Sequence, residues 1–130
     1  MNVIEINIYA GNGKYRITLD VYSTDGHGLS GFLHGGTLSH VGGVALVTPG
    51  ALVDGKKLSS CDEWTITVPG HKDFAAANAV AKKICLAVNE PVAICCGIHI
   101  DNAGSEDVKI LMDNCSTAAD MFIEQYCREG

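Results

Sequence analysis

Ile4, Ile6 and Ile8 alternate with Glu5 and Asn7, and Tyr15, Ile17, Leu19 and Val21 alternate with Arg16, Thr18 and Asp20. A period of two marks strands with one wet face. Gly11-Asn12-Gly13 lies between the runs, and Asn-Gly in that setting signals a tight hairpin. Residues 2–9 and 14–22 are therefore predicted to pair. Leu29 to Leu33 reads as a short, glycine-bounded third strand. Val41 to Val47 is nearly all apolar and reads as a central strand, buried on both faces. Thr48 to Ser60 holds Pro49, Gly50 and Gly55 and reads as a loop. Trp64, Ile66 and Val68 alternate with Glu63, Thr65 and Thr67, which gives another strand with its tryptophan expected in the core. Pro69-Gly70 stops it.

From Asp73 the period changes. Phe74, Ala77, Ala81, Ile84, Cys85 and Val88 trace one helical face, which Pro91 closes. Val92 to Ile98 is a buried strand, and His99 to Gly104 a loop. A second helix runs from about Ser105 to the C-terminus, with Val108, Leu111, Met112, Cys115, Ala119, Phe122, Ile123 and Tyr126 as its apolar stripe. The predicted fold is α+β: a two-layer, mainly antiparallel sheet of five to six strands with two helices on one face. No repeat or linker divides the chain, so residues 1–130 are expected to form one domain.

At 130 residues a chain can bury a core without disulfide or metal support. The net charge of −6 argues against non-specific nucleic-acid binding and a polybasic membrane anchor. No apolar run reaches membrane-helix length. Met1-Asn2-Val3-Ile4-Glu5 has neither a basic nor an apolar leader region, so no signal peptide is expected. The six cysteines (61, 85, 95, 96, 115 and 127) form no CxxC and no zinc-finger spacing. They read as reduced core thiols of a cytoplasmic protein.

Glycine is high at 15 of 130, against a usual ~7%, and the excess clusters near histidines. His40 follows Gly35-Gly36-Thr37-Leu38-Ser39 and precedes Val41-Gly42-Gly43. His71 sits in Pro69-Gly70-His71-Lys72-Asp73. His99 sits in Gly97-Ile98-His99-Ile100-Asp101-Asn102-Ala103-Gly104. All three fall at strand ends, where glycine permits close approach of a ligand. His71 and His99 also precede helices, whose N-termini accept phosphates and carboxylates. Lys72 adds a positive charge. Asp73 reads as a helix N-cap, and Asp101 and Asn102 as turn residues. His27 and His34 lack this setting.

Three uses of the histidines compete. His40, His71 and His99, with Asp101, could ligate zinc or iron. Their separations of 31 and 28 residues match no ligand spacing, so no metal is assigned. An enzyme needs a nucleophile or an acid–base pair, and neither GxSxG, HExxH nor a Walker loop occurs, so no catalytic residue is assigned. The third use is a pocket for a phosphorylated or anionic cofactor.

Ser39-His40-Val41-Gly42-Gly43-Val44-Ala45-Leu46, Pro69-Gly70-His71-Lys72-Asp73 and Gly97-Ile98-His99-Ile100-Asp101-Asn102-Ala103, in this order, resemble the LpdD-like family. These are the small D subunits of gallate-type decarboxylases, described as prenylated-flavin chaperones. The resemblance covers most of the chain. Ser39 and Gly43 depart from the family's pattern. The resemblance implies a non-catalytic carrier of prenylated FMN, or FMN. It would serve a UbiD-type non-oxidative aromatic-acid decarboxylase, with a flavin prenyltransferase upstream. It places His40, His71, Lys72, His99 and Asp101 at the cofactor, and Gly42, Gly43, Gly70 and Asn102 of the same segments are candidate cofactor-binding residues beside them. Trp64 and Tyr9 are the candidates for stacking on the flavin ring, although the strand pattern sends Trp64 to the core. A homo-oligomer is a further expectation. A purely structural decarboxylase subunit is the alternative binding role.

Overall fold

The computed structural model describes residues 3–129. Asn2, expected in the first strand, and Gly130, expected in the last helix, lie outside the described residues. The elements are β1 (Glu5–Ala10), β2 (Ile17–Ser23), β3 (Leu29–Gly36), β4 (Gly43–Pro49), β5 (Leu52–Val53), β6 (Lys56–Lys57), β7 (Cys61–Thr67), α1 (Phe74–Val88), β8 (Val92–His99) and α2 (Ser105–Glu129). Six strands form one sheet in the order β1-β2-β3-β8-β4-β7. Every neighbouring pair is antiparallel except β3 with β8. α1 packs across β4 and β8, α2 across β1 and β2, and the helices touch each other. The fold is the two-layer α+β arrangement that the periodicity predicts.

The covered face carries the apolar alternation of each strand. Ile8, Leu19, Leu33, Ile94 and Val47 are buried there. Alanines 77 and 81 let α1 lie close to the sheet, and Phe122 of α2 fills the remaining volume. Asn89 ends α1 in the left-handed conformation (φ 59°), its N–H donating to the Cys85 carbonyl, so the helix is closed before Pro91 is reached.

Four expectations need correction. The connection between β1 and β2 is not a two-residue turn. Ala10 pairs with Ile17, and Gly13–Tyr15 forms a 3-10 turn with Asn12 extended. Tyr15 leaves the strand alternation because its hydroxyl donates to Asp107 of α2 at 2.6 Å. The 48–60 segment is not all loop, since β5 and β6 pair around Asp54-Gly55, both at positive φ. That is the hairpin chemistry of an Asp-Gly pair. β3 runs three residues beyond Leu33 because its glycines let flanking backbone close in; a Cβ on Gly36 would overlap the His99 carbonyl. Trp64 is not in the core: it is 56% exposed, and Ile66 74%. Trp64 pairs with Leu46 and Ile66 with Val44 on the face without helices. Glu63, just before Trp64, faces α1 and pairs with Lys82 at 3.3 Å. Alternation revealed the strand but not which of its faces the helices cover.

The cysteines divide likewise. Cys61, Cys85, Cys96 and Cys115 are buried, but Cys95 is half-buried and Cys127 exposed, so not all six are core thiols. Burial raises the Cys85 and Cys96 thiols and pushes Cys115 up to about 12, which keeps them protonated at neutral pH. In a native thiol titration with an aromatic disulfide, Cys127 is expected to react fastest. Cys85, Cys96 and Cys115 should react only on unfolding. Fast native labelling of Cys96 or Cys115, mapped by mass spectrometry, would contradict the packing.

A second test concerns Glu90, which is nearly buried. Its Oε1 accepts the Gly28 N–H at 3.0 Å and its Oε2 accepts the Tyr126 hydroxyl at 2.6 Å. This carboxylate ties the β2–β3 turn to the end of α2. Burial first, and then the bond to Glu90, push Tyr126 from 10.0 up to about 12. The neutral phenol is thus favoured in the folded chain. Its stabilisation is complete below pH 10 and is lost as pH rises through about 12. Melting temperature should fall across that window, and less steeply in Tyr126→Phe, which should cost about 1–2 kcal/mol at neutral pH. Equal alkaline slopes in the two proteins would remove Tyr126 from the account.

Candidate functional site

The parallel pairing of β3 with β8 ends both strands at one edge of the sheet, where Gly36 lies opposite His99. β4 runs the other way and starts at that edge, with Gly43 opposite Cys96. β7 ends there, with Thr67 opposite Gly43. The three histidine segments, each about thirty residues from the next, therefore become neighbours. Backbone bonds pin them together. The Thr37 N–H donates to the His99 carbonyl (2.7 Å), the Gly42 N–H to Cys96 (2.8 Å) and the Val68 N–H to Gly42 (2.9 Å).

The ring of His40 lies 5.0 Å from that of His71 and 6.4 Å from that of His99. Asp73 sits among them. Its Oδ2 is 3.1 Å from His40 Nε2 and 3.7 Å from His71 Nδ1, and its Oδ1 accepts the Ile98 N–H at 3.0 Å. Asp73 occupies the N-cap of α1 but makes no side-chain capping bond. Its carboxylate is committed to the histidines instead, which leaves the first-turn amides of α1 without a capping side chain. His99 Nε2 is held by Asp101 Oδ1 at 2.7 Å.

Close approach explains the glycines. A Cβ on Gly42 would overlap the Asp73 carboxylate, and one on Gly97 the His40 carbonyl. A Cβ on Gly43 would come within 3.1 Å of the Phe74 nitrogen. Gly70 has φ +83°, a conformation that a side chain would strain.

In front of this edge is a cavity of about 490 Å³, within the range of small-molecule sites. His40, Gly70, His71, Lys72, Asp73 and His99 line one part of it. Ala75, Ala76, Ile98, Val108, Leu111 and Met112 form the apolar remainder. Of the residues the sequence singled out, the structure thus brings His40, Gly70, His71, Lys72 and His99 to one cavity. Gly42 and Gly43 lie behind it as buried spacers, Asp101 reaches it only through His99, and Asn102 is a left-handed turn residue (φ 54°). The sequence reading missed Asp73 as a member, taking it for an ordinary cap, and missed the wall supplied by α2. The exposure of Val108 (50%) on an apolar stripe is the trace of that wall. Trp64 lies on the helix-free face, and Tyr9 stacks under the Arg16 guanidinium at 4.6 Å; neither lines the cavity. A smaller cavity of about 250 Å³, lined by Ile4, Ile6, Ser23, Asp25, Gly26, Tyr126 and Glu129, has acidic groups and no basic one, so it suits no phosphate.

A family model for the prenylated flavin chaperone LpdD-like domain matches residues 11–127. The chain belongs to this family. All three histidine segments fall within the match. No curated protein matches the chain by sequence. Among solved structures it is similar to a chain from a chaperone complex for yeast 20S proteasome assembly, with 14% identity and a TM-score of 0.57, covering 99% of this chain and 98% of that one. At that identity the likeness concerns the fold alone.

A flavin mononucleotide presents a dianionic phosphate and a broad apolar ring system. The residues present fit both ends. Lys72, the imidazoles and the uncapped start of α1 suit a phosphate, and Ile98, Val108, Leu111 and Met112 suit a ring.

The glycine spacing yields a test. Gly42→Ala should cost about 1–3 kcal/mol by forcing Asp73 aside. In the Asp73→Ala background the same change should cost far less, because the overlapping carboxylate is gone. Gly97→Ala should keep its full cost there, since it meets backbone. Additive effects of Gly42→Ala and Asp73→Ala in chemical denaturation would show that the two positions do not touch.

Proposed function

We propose that this protein is a non-catalytic carrier of prenylated FMN, able also to bind FMN, that serves a UbiD-type non-oxidative aromatic-acid decarboxylase. One observation carries the reading: in a member of the LpdD-like family, the three glycine-flanked histidines converge with Lys72 on a cavity with one polar and one apolar part. The bound flavin would supply the cofactor chemistry that the decarboxylase uses; this chain holds and shields it.

Lys72 and the first-turn amides of α1 bind the phosphate. His40 and His71, oriented by Asp73, donate to polar atoms of the ligand, and His99, oriented by Asp101, closes the far side. Val108, Leu111 and Met112 cover the ring and exclude water from it. Stacking comes from imidazole and aliphatic surface, since neither Trp64 nor Tyr9 is within reach.

The partners in this reading are the decarboxylase catalytic subunit, which receives the cofactor, and the flavin prenyltransferase, which makes it. Free thiols suit a cytoplasmic setting. None of the described helices is long and apolar enough to cross a membrane. A homo-oligomer fits the apolar surface around Leu46, Trp64 and Ile66.

Anaerobic titration with FMN and prenylated FMN tests the proposal. Saturable binding is expected, with prenylated FMN preferred, and His71→Ala and Lys72→Ala should each weaken it by about tenfold or more. Bound reduced flavin should oxidise more slowly than free flavin. Absence of saturable binding to either flavin, with the protein folded by circular dichroism, would overturn the carrier role. Binding unaffected by both substitutions would move the flavin to another surface.

A further inference from the structure

His40, His71 and Asp73 each offer one donor atom, and these atoms all lie within 4.8 Å of one another. Donors around one tetrahedral zinc ion, about 2.1 Å from it, sit about 3.4 Å apart. His40 Nε2 and Asp73 Oδ2, at 3.1 Å, are already at that spacing, and His71 Nδ1, at 3.7 Å from the same oxygen, is close to it. Two imidazoles and one carboxylate form the donor set that takes a first-row transition dication with open positions. Mg²⁺ and Ca²⁺ prefer oxygen donors and fit it poorly.

The surroundings hold these groups as they would hold metal ligands. His40 Nδ1 lies 3.4 Å from the Leu38 carbonyl. If that nitrogen carries the proton, Nε2 is a lone-pair donor pointed at a carboxylate oxygen. Two lone pairs at 3.1 Å need a cation between them, either a second proton or a metal. The Ile98 N–H on Asp73 Oδ1 holds the carboxylate in place and leaves Oδ2 to the histidines. A carbonyl behind a histidine and an N–H behind a carboxylate are the supporting contacts that metal ligands carry. His99 lies outside the set: its ring is 6.4 Å from that of His40, and its Nε2 is turned to Asp101. The sequence spacing hides the trio, since its third member is not a histidine and the sheet, not the chain, brings it together.

We propose that His40, His71 and Asp73 bind one divalent transition cation of the Zn²⁺, Co²⁺ or Fe²⁺ class at the polar end of the cavity. Two neutral imidazoles and one carboxylate leave the bound ion a net charge of +1. Lys72 lines the same cavity, so an anionic oxygen such as that of a phosphate can complete the shell. The site stands on this chain's own side chains and does not require the flavin reading.

The test is titration of chelator-stripped protein with Co²⁺, followed by the visible absorption of the ion, and with Zn²⁺ in competition. Saturation near one equivalent is expected, with bands typical of nitrogen and oxygen ligands and no thiolate charge-transfer band. His71→Ala alters an exposed loop residue and should leave the melting temperature of the stripped protein unchanged while weakening Co²⁺ by about tenfold or more. Asp73→Asn, which can still accept the Ile98 N–H but loses the charge facing His40, should weaken Co²⁺ at least as much. His99→Ala should change affinity by less than about threefold. Mg²⁺ in excess should not compete. Absence of saturable Co²⁺ and Zn²⁺ binding overturns the proposal, as does binding that survives both His71→Ala and Asp73→Asn, or a thiolate band placing the ion on cysteine. Flavin titration of the stripped protein is read separately. Flavin binding without metal binding leaves the carrier function standing and removes this site, and the reverse result does the opposite.

Discussion

The carboxylate of Asp73 is the contact on which the site depends. It stands at the start of α1, yet it spends no oxygen on the helix it begins. One oxygen takes the backbone N–H of Ile98 in β8, and the other faces His40 ahead of β4 and His71 ahead of α1. A single side chain thus joins three segments far apart in sequence. It is only 11% exposed, so these contacts are made largely out of water, where a charge–dipole bond is stronger and an unmet charge costs more. Gly42 has no side chain because this carboxylate fills the space a side chain would need.

That contact forms only because the sheet puts β8 between β3 and β4. The chain completes β7 at the edge, crosses over β4 through α1, and inserts β8 beside β3. The insertion makes the one parallel pair in an otherwise antiparallel sheet. It also ends β3, β7 and β8 at the edge where β4 begins. Strand ends and helix starts gather there, as at ligand sites of other open sheets with helix crossovers. The other consequence is a sheet with one bare face. There, Leu46, Trp64 and Ile66 stay in contact with solvent, although their strands read as core.

What the sequence made legible follows from period. Helical and strand periodicity survive burial on either side, so every major element and the two-layer class could be read. Glycine beside histidine marked His40, His71 and His99, because backbone crowding leaves its trace in residue type. Facing did not leave such a trace. Trp64-Ile66 and Ile6-Ile8 have the same alternation, yet only the second pair meets a helix. Nor did Asp73 stand out, since aspartate before a helix is what a cap would require. The Gly11–Gly13 turn misled because Tyr15, whose alternation looked like strand, is held by Asp107 and Asn114 from α2. Contacts between distant segments settled each of these cases, and local pattern does not contain them.

The charge distribution sharpens the reading of the cavity. The chain is acidic overall at −6, yet three of its five histidines and Lys72 line one cavity with a single carboxylate among them. Lys72, the imidazole N–H groups and the start of α1 give that cavity its anion-accepting groups, while the acidic rest of the molecule repels polyanions. The carboxylate has a second effect. It orients two imidazoles and offsets the charge of Lys72, so a phosphate in the proposed role would not be held by charge alone. Affinity then depends on the apolar wall from α2 as well, and a ligand with both a phosphate and a large ring gains where inorganic phosphate does not. In the proposed carrier role the same division would make release tractable: loosening either the ring contacts or the phosphate contacts would forfeit the joint gain, so a partner would need to displace only one end of the ligand.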